Sequence, residues 1–146
     1  MGPHRAIRVT IPSAEPERSR SLKQLADGLT SLADAEYAEV WVDHDAFPSM
    51  CALIHGDRGW LMCLRYDGDG GFSSRNPAYD GKPDAMIDYC LSNGQRDVYP
   101  AAWTYPTPNV LDALTAFARD RRVPEWISWL NDSGDGALSP NDPWSS

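Results

Sequence analysis

The spacing of apolar residues changes period along this chain, and each change marks an element. Residues 6–11 (AIRVTI) read as a short strand closed by Pro12. Leu22, Leu25, Ala26, Leu29 and Leu32 then recur at helical spacing, predicting an amphipathic helix over residues 19–33. Gly28 lies inside it and weakens it by about 1 kcal/mol relative to alanine. From residue 37 the period drops to two. Ala38, Val40 and Val42 alternate with Tyr37, Glu39 and Trp41. Residues 50–55 and 60–66 are apolar on both faces and are joined by Gly56-Asp57-Arg58-Gly59, which predicts an antiparallel hairpin. Their two-sided hydrophobicity places them mid-sheet, covered above and below.

Residues 67–85 (DGDGGFSSRNPAYDGKPDA) hold Gly68, Gly70, Gly71, Gly81, Pro77 and Pro83, and read as one long exposed loop outside the core. Strands at 86–91 and 97–99 pair across a turn at Asn93-Gly94. A second helix follows, with Thr107 as N-cap and Pro108 in the first helical position. Its apolar face is Val110, Leu111, Leu114, Phe117 and Ala118. Arg119, Arg121 and Arg122 end it, opposing the helix dipole, and Pro124 stops it. Residues 125–130 (EWISWL) alternate as a last strand. The element order predicts an α+β fold: an antiparallel sheet of six or seven strands packed by two main helices. Residues 1–130 form a single domain, and the polar, Gly/Pro-rich segment 131–146 is a flexible tail.

Charge alters this picture more than bulk composition does. Residues 34–104 carry five basic and twelve acidic side chains, most of the net −8 of the chain. The same segment holds Trp41, Trp60, Phe72 and Trp103. Such a surface repels nucleic acid and anionic membrane and attracts basic proteins, so direct nucleic-acid or membrane binding is not expected. No apolar run approaches the ~20 residues of a membrane span, and the N-terminal residues lack the apolar core of a secretory signal. Cys51, Cys63 and Cys90 are widely spaced in strand-like segments and read as buried free thiols, pointing to the cytoplasm.

Catalytic chemistry finds little support. Asp43-His44-Asp45 with Cys51 and His55 matches no zinc-ligand spacing. There is no Gly-x-Ser-x-Gly, and nothing in sequence would activate Cys63 or Cys90 towards His55. Asp67-x-Asp69-x-Gly71 opens like a calcium loop, but Ala78 stands where the closing glutamate belongs. No metal, cofactor or catalytic residue is assigned. A small hydrolase or ligand-binding protein using His44, His55 or Cys63 is the rival from another functional class.

One succession does point somewhere. Tyr99-Pro100, Phe117 near a helix end, Arg121-Arg122, Pro124 and Trp129 follow Gly56-Asp57-Arg58-Gly59-Trp60, Tyr66 and a Gly-rich loop. From about residue 36 to residue 130 this resembles the first-numbered immunity protein family of bacterial polymorphic toxin systems. Asp120 and an inserted Val123 replace the family's glycine before Arg-Pro, which implies a different helix exit. The resemblance implies a non-catalytic α+β antitoxin that binds and occludes a cognate toxin domain. Often this is a basic, zinc-dependent deaminase of nucleic-acid bases, with a nuclease toxin as the alternative. For docking, the acidic, Gly-rich loop 67–84 is the expected contact. Asp67, Asp69, Asp80 and Asp84 supply charge, and Phe72, Trp103 and Tyr105 supply aromatic anchors.

Overall fold

The computed structural model describes residues 4–142. In chain order these form β1 (His4–Ile11), α1 (Glu17–Thr30), a 3-10 turn (Ser31–Asp34), β2 (Tyr37–His44), β3 (Ser49–His55) and β4 (Arg58–Leu64). Then follow β5 (Phe72–Arg75), β6 (Met86–Cys90), β7 (Arg96–Pro100), a second 3-10 turn (Ala101–Trp103), β8 (Tyr105–Pro106), α2 (Thr107–Asp120) and β9 (Ser128–Asn131). The fold is α+β. Seven strands make one sheet in the order β1-β2-β3-β4-β5-β9, with β8 paired to β4. All pairs are antiparallel except β1–β2, whose parallel register requires a crossover that α1 supplies.

β6 and β7 stand apart as a two-stranded sheet. The molecule is therefore layered: two helices on one face of the large sheet, a hairpin on the other. The two-sided strands explain why. Met50, Ala52 and Ile54 of β3 point into the helix-side core with Val40, Val42, Leu61, Leu114 and Phe117. Cys51 and Leu53 point the other way, into a smaller cluster with Trp60 and Tyr89 that Trp41, Met62, Tyr99 and Trp103 surround. Trp60 and Tyr99 stack there with ring centroids 4.5 Å apart.

Several local expectations are corrected. The loop at 67–85 is interrupted by β5. The side chain of Phe72 is wholly inaccessible to solvent, and Ser73 and Ser74 are buried. Ser74 Oγ accepts from Leu61 N–H and donates to the Trp103 carbonyl, so a polar strand is satisfied inside. β2 runs past Val42 to take in Asp43 and His44, both buried. Ala26 faces solvent, outside the apolar stripe of α1. Thr107 does not act as an N-cap; its hydroxyl donates to the Gly56 carbonyl. Gly28, a weak point in the helix pattern, lets β1 close in: a Cβ there would sit 3.3 Å from Ile7 Cδ1. No described helix is long and apolar enough to cross a membrane.

The segment after β9 is tied to the body as far as it is described. Asn141 accepts from Val123 N–H and donates to the Val123 carbonyl. Asp135 meets Arg65 at 2.8 Å.

Candidate functional site

β5 divides the expected docking loop in two. Because β5 runs antiparallel to β4, residues 65–71 lie at one end of the sheet and residues 76–85 at the other. A four-residue strand separates them by roughly 13 Å. Asp67 is exposed at the first end, and Asp80 and Asp84 are exposed at the second. The acids are thus not one cluster.

Three of the expected contact residues face inward. Phe72 fills the helix-side core, with the Arg65 guanidinium 4.8 Å above its ring. Asp69 has a side chain 0% exposed, and it accepts from Arg65 Nε at 2.8 Å, Arg65 Nη2 at 2.9 Å and Gly71 N–H at 3.0 Å. Burial by itself would raise the Asp69 carboxyl, but the Arg65 guanidinium and the backbone donors outweigh it and hold the pKa below the usual carboxylate value. This aspartate and Asp135 neutralise a buried arginine, which is a structural role. Tyr105 is buried as well; its hydroxyl donates to the Arg75 carbonyl and accepts from Ser128 N–H. Trp103 is half-buried, with the Arg75 guanidinium 3.6 Å from its ring centroid.

What the structure gathers instead lies at the end of the sheet where β3 turns into β4. Tyr37 and His55 stack at 4.2 Å, and His55 Nδ1 donates to the Asp88 carbonyl at 2.8 Å. The Asp88 carboxylate accepts from Tyr37 Oη and from Arg96 Nη1, each at 2.8 Å. The Tyr37 hydroxyl and the His55 and Arg96 charges keep the Asp88 carboxyl below its ordinary pKa. This brace fixes the β6–β7 hairpin to β2 and β3. Residues 76–85 join the same end through the Ala101 N–H to Ala85 carbonyl bond and the Arg58 guanidinium over the Tyr79 ring. Among the described residues Asp57, Asp80 and Asp84 take part in no salt bridge. On the outer face of the hairpin Met86 is 56% exposed and Val98 54%. The end therefore presents free carboxylates beside exposed apolar side chains.

Asp57, Met86 and Val98 were missed in the sequence. A signal for the last two was present, because β6 alternates Met86, Asp88 and Cys90 against Ile87 and Tyr89, and β7 alternates Arg96 and Val98 against Asp97 and Tyr99. Only a strand packed by one face leaves such a row outward.

The groups of the hydrolytic rival do not converge. His44 and His55 sit at opposite ends of the antiparallel β2–β3 pair. His44 Nε2 donates to the Phe117 carbonyl at 2.7 Å. Burial pushes the Cys63 thiol up to about 12 and raises Cys51 well above its ordinary value, so neither supplies a thiolate.

A search of curated proteins gives no match to this chain. A family model described as Immunity protein Imm1 matches residues 11–131. That span runs from the last residue of β1 to the last residue of β9, taking in both helices, the hairpin and the acidic end, and on this ground the chain belongs to the Imm1 immunity protein family.

Proposed function

We propose that this protein is a cytoplasmic antitoxin that binds and occludes a cognate toxin, and that the toxin is a zinc-dependent deaminase of nucleic-acid bases. Membership of an immunity protein family supports action by binding and not by catalysis. The observation that carries the finer reading is the pairing of free carboxylates Asp57, Asp80 and Asp84 with exposed Met86 and Val98 at one end of the sheet. A toxin that acts on nucleic acid presents a basic surface around its catalytic pocket. An acidic surface competes for it, gaining association rate and partner selectivity from charge, while apolar side chains slow dissociation. A sequence pI near 4.7 opposes direct nucleic-acid binding by this chain. Asp80 and Asp84 stay within the proposed docking face, with Trp103 at its edge; Asp67 lies at the far end of β5, outside it.

Co-expression with the toxin domain encoded by the neighbouring gene is the direct test. The expected result is growth rescue, co-purification, and suppression of base transitions in sequenced nucleic acid. Strand breaks without base conversion would replace the deaminase with a nuclease. Absence of both rescue and co-purification would overturn the antitoxin reading for that pair.

A further inference from the structure

The acidic end also carries a cleft of about 420 Å³ between the end of α1 and the start of α2. Leu29, Leu32 and Leu111 form its apolar wall, with Ala33, Asp57 and Thr107 at its border. We propose that this cleft is the anchor socket for one long cationic side chain, a lysine or arginine of the bound toxin; the proposal rests on the toxin-binding reading above.

The chemistry matches such a side chain along its length. An aliphatic stem covers leucine surface while its charged head seeks a carboxylate. Asp57 is exposed and takes part in no salt bridge among the described residues, so that carboxylate is available. The adjacent cation cannot serve it. Arg58 is turned away, donating from Nε to Thr104 Oγ1 at 2.6 Å and from Nη2 to the Thr104 carbonyl at 2.8 Å. α1 ends at the cleft with no basic residue in its last turn, and its final carbonyls are met internally by Ser31, whose N–H and Oγ donate to them. At the start of α2, Thr107 N–H and Oγ1 donate to the Asp57 and Gly56 carbonyls, which ties that helix to the β3–β4 turn. Among the residues that line the cleft Asp57 carries the only ionisable side chain, and that favours a cation. A toxin lysine or arginine seated there is withdrawn from the phosphates it would otherwise contact, so the socket contributes to inhibition as well as to affinity.

The test uses surface plasmon resonance with catalytically inactive toxin domain over immobilised immunity protein. Wild-type binding comes first: its absence removes the toxin-binding reading and this proposal together. Given binding, Asp57→Asn and the cleft-filling Ala33→Trp should each weaken Kd at least about 30-fold, mainly through faster dissociation. Melting temperatures should stay near wild type. Toxin variants with single lysine or arginine residues changed to alanine should include one whose loss is not additive with Asp57→Asn. If the wild type binds and rescues while both cleft variants bind equally well, the socket is refuted and the antitoxin function stands. A lowered melting temperature with unchanged binding likewise refutes it, assigning Asp57 to the start of α2.

Discussion

Two residues at the exit of α2 show how much a single position can carry. Arg121 takes the left-handed conformation, φ 57° and ψ 27°, where its N–H caps the Phe117 carbonyl. That conformation normally belongs to glycine. A non-glycine residue there costs about 1 kcal/mol. Among the described residues its guanidinium offsets this through a 3.4 Å contact with the Phe47 carbonyl. Arg121→Gly should therefore raise the melting temperature, by about 3 °C, in a calorimetric scan. The Phe117 carbonyl also accepts from His44, whose imidazole burial pushes below its ordinary pKa, with Arg121 and Arg18 adding to the shift and the Phe117 bond and Asp45 opposing it. Above pH ~6.5 both folded and unfolded chains hold this histidine neutral. Below that, the unfolded chain takes up the proton first, so stability falls with pH. Melting temperature should drop between pH 7 and pH 5.5 in the wild type and much less in His44→Gln. Equal slopes would place the acid sensitivity elsewhere.

At the scale of elements, the hairpin is the weakest layer. β6–β7 has only two strands, one face open to water, and a two-stranded ribbon has marginal stability of its own. It rests on the Trp60–Tyr99 stack and on the Tyr37–Asp88–Arg96 brace, yet Trp60 Nε1 and Tyr89 Oη are buried there with no hydrogen-bond partner. Each such group subtracts from the packing gain. Hydrogen exchange should show Ile87 and Tyr89 amides losing protection at lower denaturant than Ala52 and Leu53 in β3. Equal protection would mean the hairpin and sheet open as one unit. The legibility of these elements follows from physics. β3 and β4 were readable because continuous apolar runs admit only a strand covered on both sides. β5 was hidden because Phe72-Ser73-Ser74-Arg75 is short, polar and set among glycines. Its burial is decided by pairing with β9, which no local pattern records. The parallel pairing of β1 was equally invisible, since an alternating strand reads the same in either direction. Thr107 was misread because the nearby Gly56 carbonyl competes for its hydroxyl.

At the scale of the molecule, the acidity predicted from sequence divides into two kinds. Some carboxylates hold the fold and others face outward, and only geometry separates them. Asp69 belongs to the first kind, so Asp69→Asn leaves Arg65 short of a partner in a site where its side chain is 6% exposed. Removing one member of a buried pair costs about 3–5 kcal/mol. Asp69→Asn and Phe72→Ala should both melt far below wild type, while the folded fraction associates with toxin at the normal rate. Asp80→Asn with Asp84→Asn should do the reverse, leaving melting unchanged, slowing association and flattening its salt dependence. The opposite pattern would return Asp69 and Phe72 to the interface. The strand order also carries a consequence in time. β2, β3 and β4 are joined by short turns, whereas even the nearest β5–β9 pair, Arg75 with Ser128, must close a loop of about fifty residues. Closing entropy is met last where the loop is longest. Kinetic φ-values should accordingly be high for Val40→Ala and Ile54→Val and near zero for Trp129→Ala. The β3–β4 end of the sheet, where docking is proposed, would then be assembled early, and β9 would dock onto β5 last.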